Sequence, residues 1–195
     1  MRPLYRNKYV IGSKRLSGYD YTLPGKYFVT ICTNDKIPYF GNILNGAVVL
    51  SEMGKIADKL WREIPEHCKN TGLDQFVVMP DHIHGIIIIQ TITEINDTVE
   101  TTHASFPHAQ SIIPDHPPSN NHNPGNSPSI SMKPGSLGSI IGSYKSAVSK
   151  QIHLIDPDFR WQTRYYDHII RTNQHLMRIR NYIRDNPVNI SKKSK

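Results

Sequence analysis

The sequence predicts an α+β fold, a mostly antiparallel sheet with helices on its faces. Three observations carry that expectation. Short runs alternate β-branched or aromatic residues with polar ones, the pattern of half-buried strands. Other segments space apolar residues three and four apart, as in helices that pack by one face. The order along the 195 residues is strand, hairpin, helix, strand, strand, helix, helix, which suits one domain carrying a long insertion.

The elements follow in order. Residues 1–20 read as a basic arm. "KYFVTICT", 26–33, alternates and reads as a strand. "YFGNILNGAVVLS", 39–51, reads as a hairpin whose turn is Asn45-Gly46, a pair that tolerates positive φ. Ser51 can cap a helix over about 52–67, with Met53, Ile56, Leu60 and Ile64 as its apolar stripe. "LDQFVVMP", 73–80, and "HIHGIIIIQ", 82–90, read as strands separated by a turn at Pro80-Asp81. Residues 91–134 are rich in Pro, Ser, Asn and His without apolar period, and read as a solvated, disordered insertion. Nothing there fixes a geometry for His103, His108, His116 and His122, so metal binding is not expected of them. Leu137, Ile140, Ile141, Tyr144 and Val148 have helical spacing, with Tyr144 expected in the core. The glycines of "GSIIGSYKS" do not fit a phosphate loop. "FRWQTRYYDHII", 159–170, is aromatic and basic. A last helix covers about 173–186, capped by Thr172 or Asn173 and stopped by Pro187.

Charge and composition narrow the function. The net charge is +7. Residues 1–20 hold five Lys/Arg against one acid and residues 135–195 eleven against four, while the middle holds seven against eleven. Cationic ends can neutralise phosphates and release counterions, although simple solubility explains them equally well. Cys32 and Cys68 stand apart with no CxxC, which suits a reducing cytoplasm and argues against a disulfide framework or a thiolate zinc site. No apolar run approaches the roughly 20 residues that span a bilayer, and the N-terminus lacks the pattern of a signal peptide.

Alternate residues of a strand share a face, so His82 and His84 project together and Ile83 points away. Two imidazoles on one face can chelate a divalent ion, but satisfied histidines explain an isolated pair as well. On the last helix, Leu176, Ile179 and Ile183 make a core stripe, and Arg178, Tyr182 and Asn186 form a row along its edge. Asn186 could complete a metal site with the histidines, Tyr182 could attack an electrophile polarised there, and Arg178 could steady a phosphate. The other reading makes Tyr182 a boundary tyrosine, Arg178 a solvated charge and Asn186 a helix-end amide. Spacing alone leaves both open.

The segment "VVMPDHIHGIII" resembles the His-hydrophobe-His (HUH) block of the single-tyrosine transposases, in particular their REP-associated branch. "RLSGYDYTLPGKYFVTICT", "YFGNILNGAVVLSEMG", "LGSIIGSYKSAVSK", "WQTRYYDHIIR" and "YIRDNPV" resemble that family's other blocks in order, over nearly the whole chain except 91–134. The resemblance implies a ferredoxin-like or RRM-like sheet with flanking helices. It implies an enzyme that cuts and rejoins single-stranded DNA beside hairpins through a 5′-phosphotyrosine, using Mg²⁺ or Mn²⁺. It makes Tyr182 the nucleophile and His82, His84 and Asn186 the metal ligands. Asp81 is a departure, since Asn is expected there. Further candidate DNA contacts are Lys14, Arg15, Lys145, Arg164, Arg171 and Arg178, and Tyr165 and Tyr166 could stack on bases or equally well pack into the core. The expected setting is a bacterial cytoplasm, in contact with the nucleoid, as a monomer or homodimer. The alternatives are an RRM-like module that binds DNA or RNA without cutting, and a protein whose histidines hold a purely structural metal.

Overall fold

The computed structural model describes residues 4–5, 9–10, 16, 18–91 and 133–193; Lys14, Arg15 and residues 92–132 lie outside them. Two short strands, β1 (Leu4–Tyr5) and β2 (Tyr9–Val10), pair antiparallel. Then come β3 (Gly25–Cys32), the hairpin β4 (Gly41–Leu44) and β5 (Ala47–Leu50), α1 (Glu52–Arg62), α2 (Ile64–His67), β6 (Thr71–Val78) and β7 (His82–Ile89). After the insertion follow α3 (Leu137–Ile152), β8 (Tyr166–Ile170) and α4 (Asn173–Lys193).

The main sheet has four strands in the order β6-β7-β3-β8, every pair antiparallel. With α1 and α3, the run β3–α1–β6–β7–α3–β8 is the β–α–β–β–α–β arrangement of ferredoxin-like folds. The expected α+β architecture is therefore the observed one. Period-2 alternation sends residues of each strand to two different cores. One face carries Tyr27, Val29, Ile31, Ile83 and Ile87, which pack with Leu60, Trp61, Ile140, Tyr144 and Val148 of α1 and α3. The other face carries Phe28 and Ile86, which with Ile170 pack under Leu176, Ile179 and Ile183 of α4. The apolar run of β7 thus reflects a strand buried on both faces. Gly85 is the exception in that run because the Trp61 ring lies where its β-carbon would be.

Local chemistry explains the ends of the elements. Asn45 and Gly46 both take positive φ in the β4–β5 turn. Ser51 caps α1 by accepting from the Gly54 N–H, and Ser136 caps α3 through Ser139. Thr172 Oγ1 accepts from the His175 N–H at the start of α4.

Four expectations need correction. The helix from 52 breaks at Glu63, because Pro65 has no N–H to continue the ladder. The buried side of α1 is Gly54, Ala57, Leu60 and Trp61, while Met53 and Ile56 are only half-buried. Small residues face inward there because α1 lies against the chain at Phe40, whose carbonyl oxygen leaves no room for a β-carbon at Gly54. The stretch around 166–170 forms a strand on the outer edge of β3. Pro187 does not stop the last helix, which continues to Lys193. The ring forfeits one bond to the Ile183 carbonyl, but it is buried, and the apolar contact offsets part of that loss. Among the described residues, no helix is long and apolar enough to cross a membrane.

Candidate functional site

β7 presents His82 and His84 on the face covered by α4, opposite Cys32 and Thr30 of β3. Thr30 Oγ1 and His84 Nδ1 lie 2.8 Å apart. Asp81 Oδ1 and His82 Nδ1 lie 2.5 Å apart. With both Nδ1 atoms engaged, the two Nε2 atoms turn toward one another at 3.0 Å. Phe28 stacks beside His84, with ring centroids 5.5 Å apart. From above, α4 lowers Tyr182, whose Oη is 3.3 Å from His84 Nε2. The phenol edge also meets the Phe28 ring, and the residue stays 48% exposed, open to a ligand from solvent.

The electrostatics follow from burial. Desolvation, and next the neighbouring His82, push the His84 imidazole down to about 3, with Asp81 pulling the other way. His84 is therefore neutral at physiological pH, the form that donates a lone pair. The hydrogen bond from His82, opposed by burial and helped by the His82 charge, holds the Asp81 carboxyl below the usual carboxylate range.

These donors suit a small divalent cation. Two imidazole lone pairs facing each other at 3.0 Å repel unless a proton or a cation lies between them. Ligands about 2.1 Å from an ion and at right angles to one another are separated by about 3.0 Å, so the pair matches neighbouring corners of an octahedron. One turn beyond Tyr182, Asn186 is buried, and its Oδ1 accepts no hydrogen bond. An unpartnered buried amide oxygen is costly, and a cation would satisfy it. Among the described residues, no three His, Cys, Asp or Glu side chains gather closely enough to hold an ion. A third protein ligand would thus come from an uncharged oxygen such as that of Asn186.

The structure treats the remaining expected residues differently. Arg164, Arg171 and Arg178 are exposed. Tyr166 is 43% exposed and edges onto Phe28 on the α4 face. Tyr165 packs against the main core, so the two tyrosines do not form one stacking platform. Lys145 donates to the Gln162 carbonyl at 2.7 Å and lies over the Trp161 ring. Burial pulls its ammonium down, Cys32 opposing. Sequence reasoning passed over Thr30 and Phe28, whose roles depend on the β3–β7 register. It also passed over Arg180, which grips Asp74 of β6 through Nε and Nη2 at 2.7–3.2 Å and ties α4 down two residues before Tyr182.

No family model matches the sequence. A protein of Haemophilus influenzae (strain ATCC 51907 / DSM 11121 / KW20 / Rd), described only as an uncharacterized protein, is 32% identical over 182 residues. The match spans 90% of this chain and 87% of that protein. The two chains belong to one family. Among solved structures, a REP-associated tyrosine transposase bound to a REP hairpin superposes with a TM-score of 0.55 at 14% identity, over 92% of this chain and 74% of that one. This chain therefore shares the fold of that transposase.

Proposed function

We propose that the chain is a metal-dependent single-stranded DNA endonuclease and strand transferase of the HUH tyrosine transposase type, of the REP-associated branch. The observation that carries this reading is the approach of Tyr182 Oη to within 3.3 Å of His84 Nε2, beside a second imidazole, all within one chain. A boundary tyrosine has no need of such a position, and a purely structural imidazole pair has no need of a half-exposed phenol.

His82, His84 and Asn186 would hold Mg²⁺ or Mn²⁺, which when bound supplies a Lewis acid for the scissile phosphate and favours loss of the phenol proton. The chain's own residues do the rest. Asp81 and Thr30 fix the two rings so that both Nε2 atoms face the site. Tyr182 Oη attacks phosphorus, forming a 5′-phosphotyrosine as the bond to the 3′ oxygen breaks. The proton lost by the phenol is balanced by the one gained at the departing 3′-hydroxyl. Attack by that hydroxyl, or by the 3′ end of another strand, reverses the step. The covalent link conserves the phosphodiester, so no nucleoside triphosphate is consumed. The Phe28 ring and the α4 stripe hold the phenol in place.

The hairpin seen in the transposase of like fold supports hairpin-bearing single-stranded DNA as the substrate. A non-cutting RRM-like module fits less well, because α4 covers the sheet face that such a module leaves open for bases. Incubation with Mn²⁺ and hairpin-flanked single strands should give a covalent protein–DNA adduct, absent in Tyr182→Phe and in His84→Ala. An adduct that persists in Tyr182→Phe would remove this tyrosine from the role.

A further inference from the structure

A second cluster of imidazoles lies beyond the catalytic group, at the start of α4. His168 of β8 and His175 of α4 meet edge to face, with ring centroids 4.7 Å apart. Both line a cavity of about 400 Å³, together with Tyr21, Asp167 and Arg171. That volume is within the range of small-ligand sites. Three groups able to carry positive charge thus line the cavity with one acid, Asp167, which has a further interaction within the chain. Among the described residues, no carboxylate forms an ion pair with Arg171.

The cavity is also aligned with the proposed chemistry. His168 sits opposite Phe28 in the β3–β8 register, and Phe28 stacks on His84. On α4, His175 and Tyr182 are seven residues apart, about two turns, and so share a face about 10 Å apart along the axis. We propose that this cavity seats a phosphate-bearing nucleotide of the substrate strand near the scissile bond, its phosphate held by Arg171, His168 and His175. The inference rests on the reading of the chain as a single-strand DNA enzyme and names a subsite for that strand.

The local electrostatics agree. Burial first, then His175 and Arg171, lower the His168 imidazole, while Asp167 opposes them. A phosphate placed among these groups relieves that crowding, and Arg171 offers it a paired set of donors. The main core has no need of such groups on this edge strand, because Phe28, Ile86 and Ile170 already close the α4 face.

The test has two arms. In the first, full-length Tyr182→Phe protein without metal is titrated with inorganic phosphate, and separately with a mixed-sequence single-stranded 12-mer. The imidazole resonances of His168 and His175 should move in both titrations. Arg171→Ala, an exposed position, should weaken both by about tenfold and lower the salt dependence of oligonucleotide binding by about one counterion. His175→Gln, which keeps a polar group in the first turn, should weaken them less. In the second arm, adduct formation by Arg171→Ala on a hairpin-flanked strand should show KM raised about tenfold with kcat little changed. Resonances that stay still in phosphate, or an Arg171→Ala affinity equal to wild type, would overturn the subsite. Phosphate binding with oligonucleotide affinity insensitive to Arg171 would mark a free-phosphate site and overturn its assignment to DNA. A wild-type protein that forms no adduct yet binds phosphate here would count against the catalytic reading alone.

Discussion

Replacing Asp81 with Asn removes a charge from beside the proposed cation while leaving the shape of the site intact. The Asn Oδ1 still accepts from His82 Nδ1, so the ring keeps its orientation and His84 keeps its bond to Thr30. What disappears is one negative charge. The 2.5 Å hydrogen bond, the width of the ring and a bond of about 2.1 Å to an ion put that charge roughly 6–7 Å from the ion. At that range, a carboxylate attracts a dication by about 1.3 kcal/mol at the dielectric of water, and by several times more at an effective dielectric of about 20. The site is half open, so the true value lies between. About 1.4 kcal/mol is a tenfold change in affinity, and outer partners of ligating histidines typically contribute about 10–100-fold. Asp81→Asn should therefore bind Mn²⁺ about 10–100-fold more weakly, read by electron paramagnetic resonance of the free ion. An affinity within twofold of wild type would refute the reasoning, since no ion held by His82 could ignore so close a charge.

The other predictions concern how the site is held. Burial alone would raise the Asp74 carboxyl, but the hydrogen bonds and charge of Arg180, with the Gln75 N–H, keep it below the usual range. A depressed carboxylate contributes stability above its unfolded pKa of about 3.9 and loses it as pH falls through the lower folded value. Protection of the α4 amides, taken relative to their intrinsic exchange rates, should accordingly fall as pH drops below about 4, and Asp74→Asn should show that lower protection already at neutral pH; identical α4 protection in the variant would dismiss the clamp. Gly85→Ala should lower stability by about 1–3 kcal/mol, seen as a reduced denaturation midpoint, because the added carbon collides with the Trp61 ring. If the variant melts like wild type, Trp61 does not pack against β7 as described.

Much of the candidate site could be read from the sequence because it depends on short-range geometry. Two histidines separated by one residue share a face in any strand, and positions 178, 182 and 186 form a row on any helix. The Asn-Gly turn and the Ser51 cap are equally local, since backbone conformation at one or two residues dictates them. The βαββαβ order was present in the pattern of apolar periods, apart from its last strand. β8 does not stand out in the sequence because "YDHII" is short and joins an aromatic, basic run with no clear alternation; pairing with β3 makes it a strand. Leu60 and Ile64 are buried as the apolar stripe implies, while Gly54 and Ala57 lie deeper than Met53 and Ile56 because the room left beside Phe40 decides which residues fit there.

The sequence by itself determined which side chains could act together within one element: the imidazole pair of β7, the phenol and amide of α4, and the cationic ends of the chain. Only the tertiary structure decided which elements meet. Strand register placed Thr30 beside His84 and His168 opposite Phe28, 54 and 140 positions apart in number from their partners. The packing of α4 set Tyr182, and not Arg178, over the imidazoles, while Arg180 fixed the helix to β6. Contacts between distant segments depend on register, burial and the space left by neighbouring side chains. These are properties of the assembled core that no local period encodes.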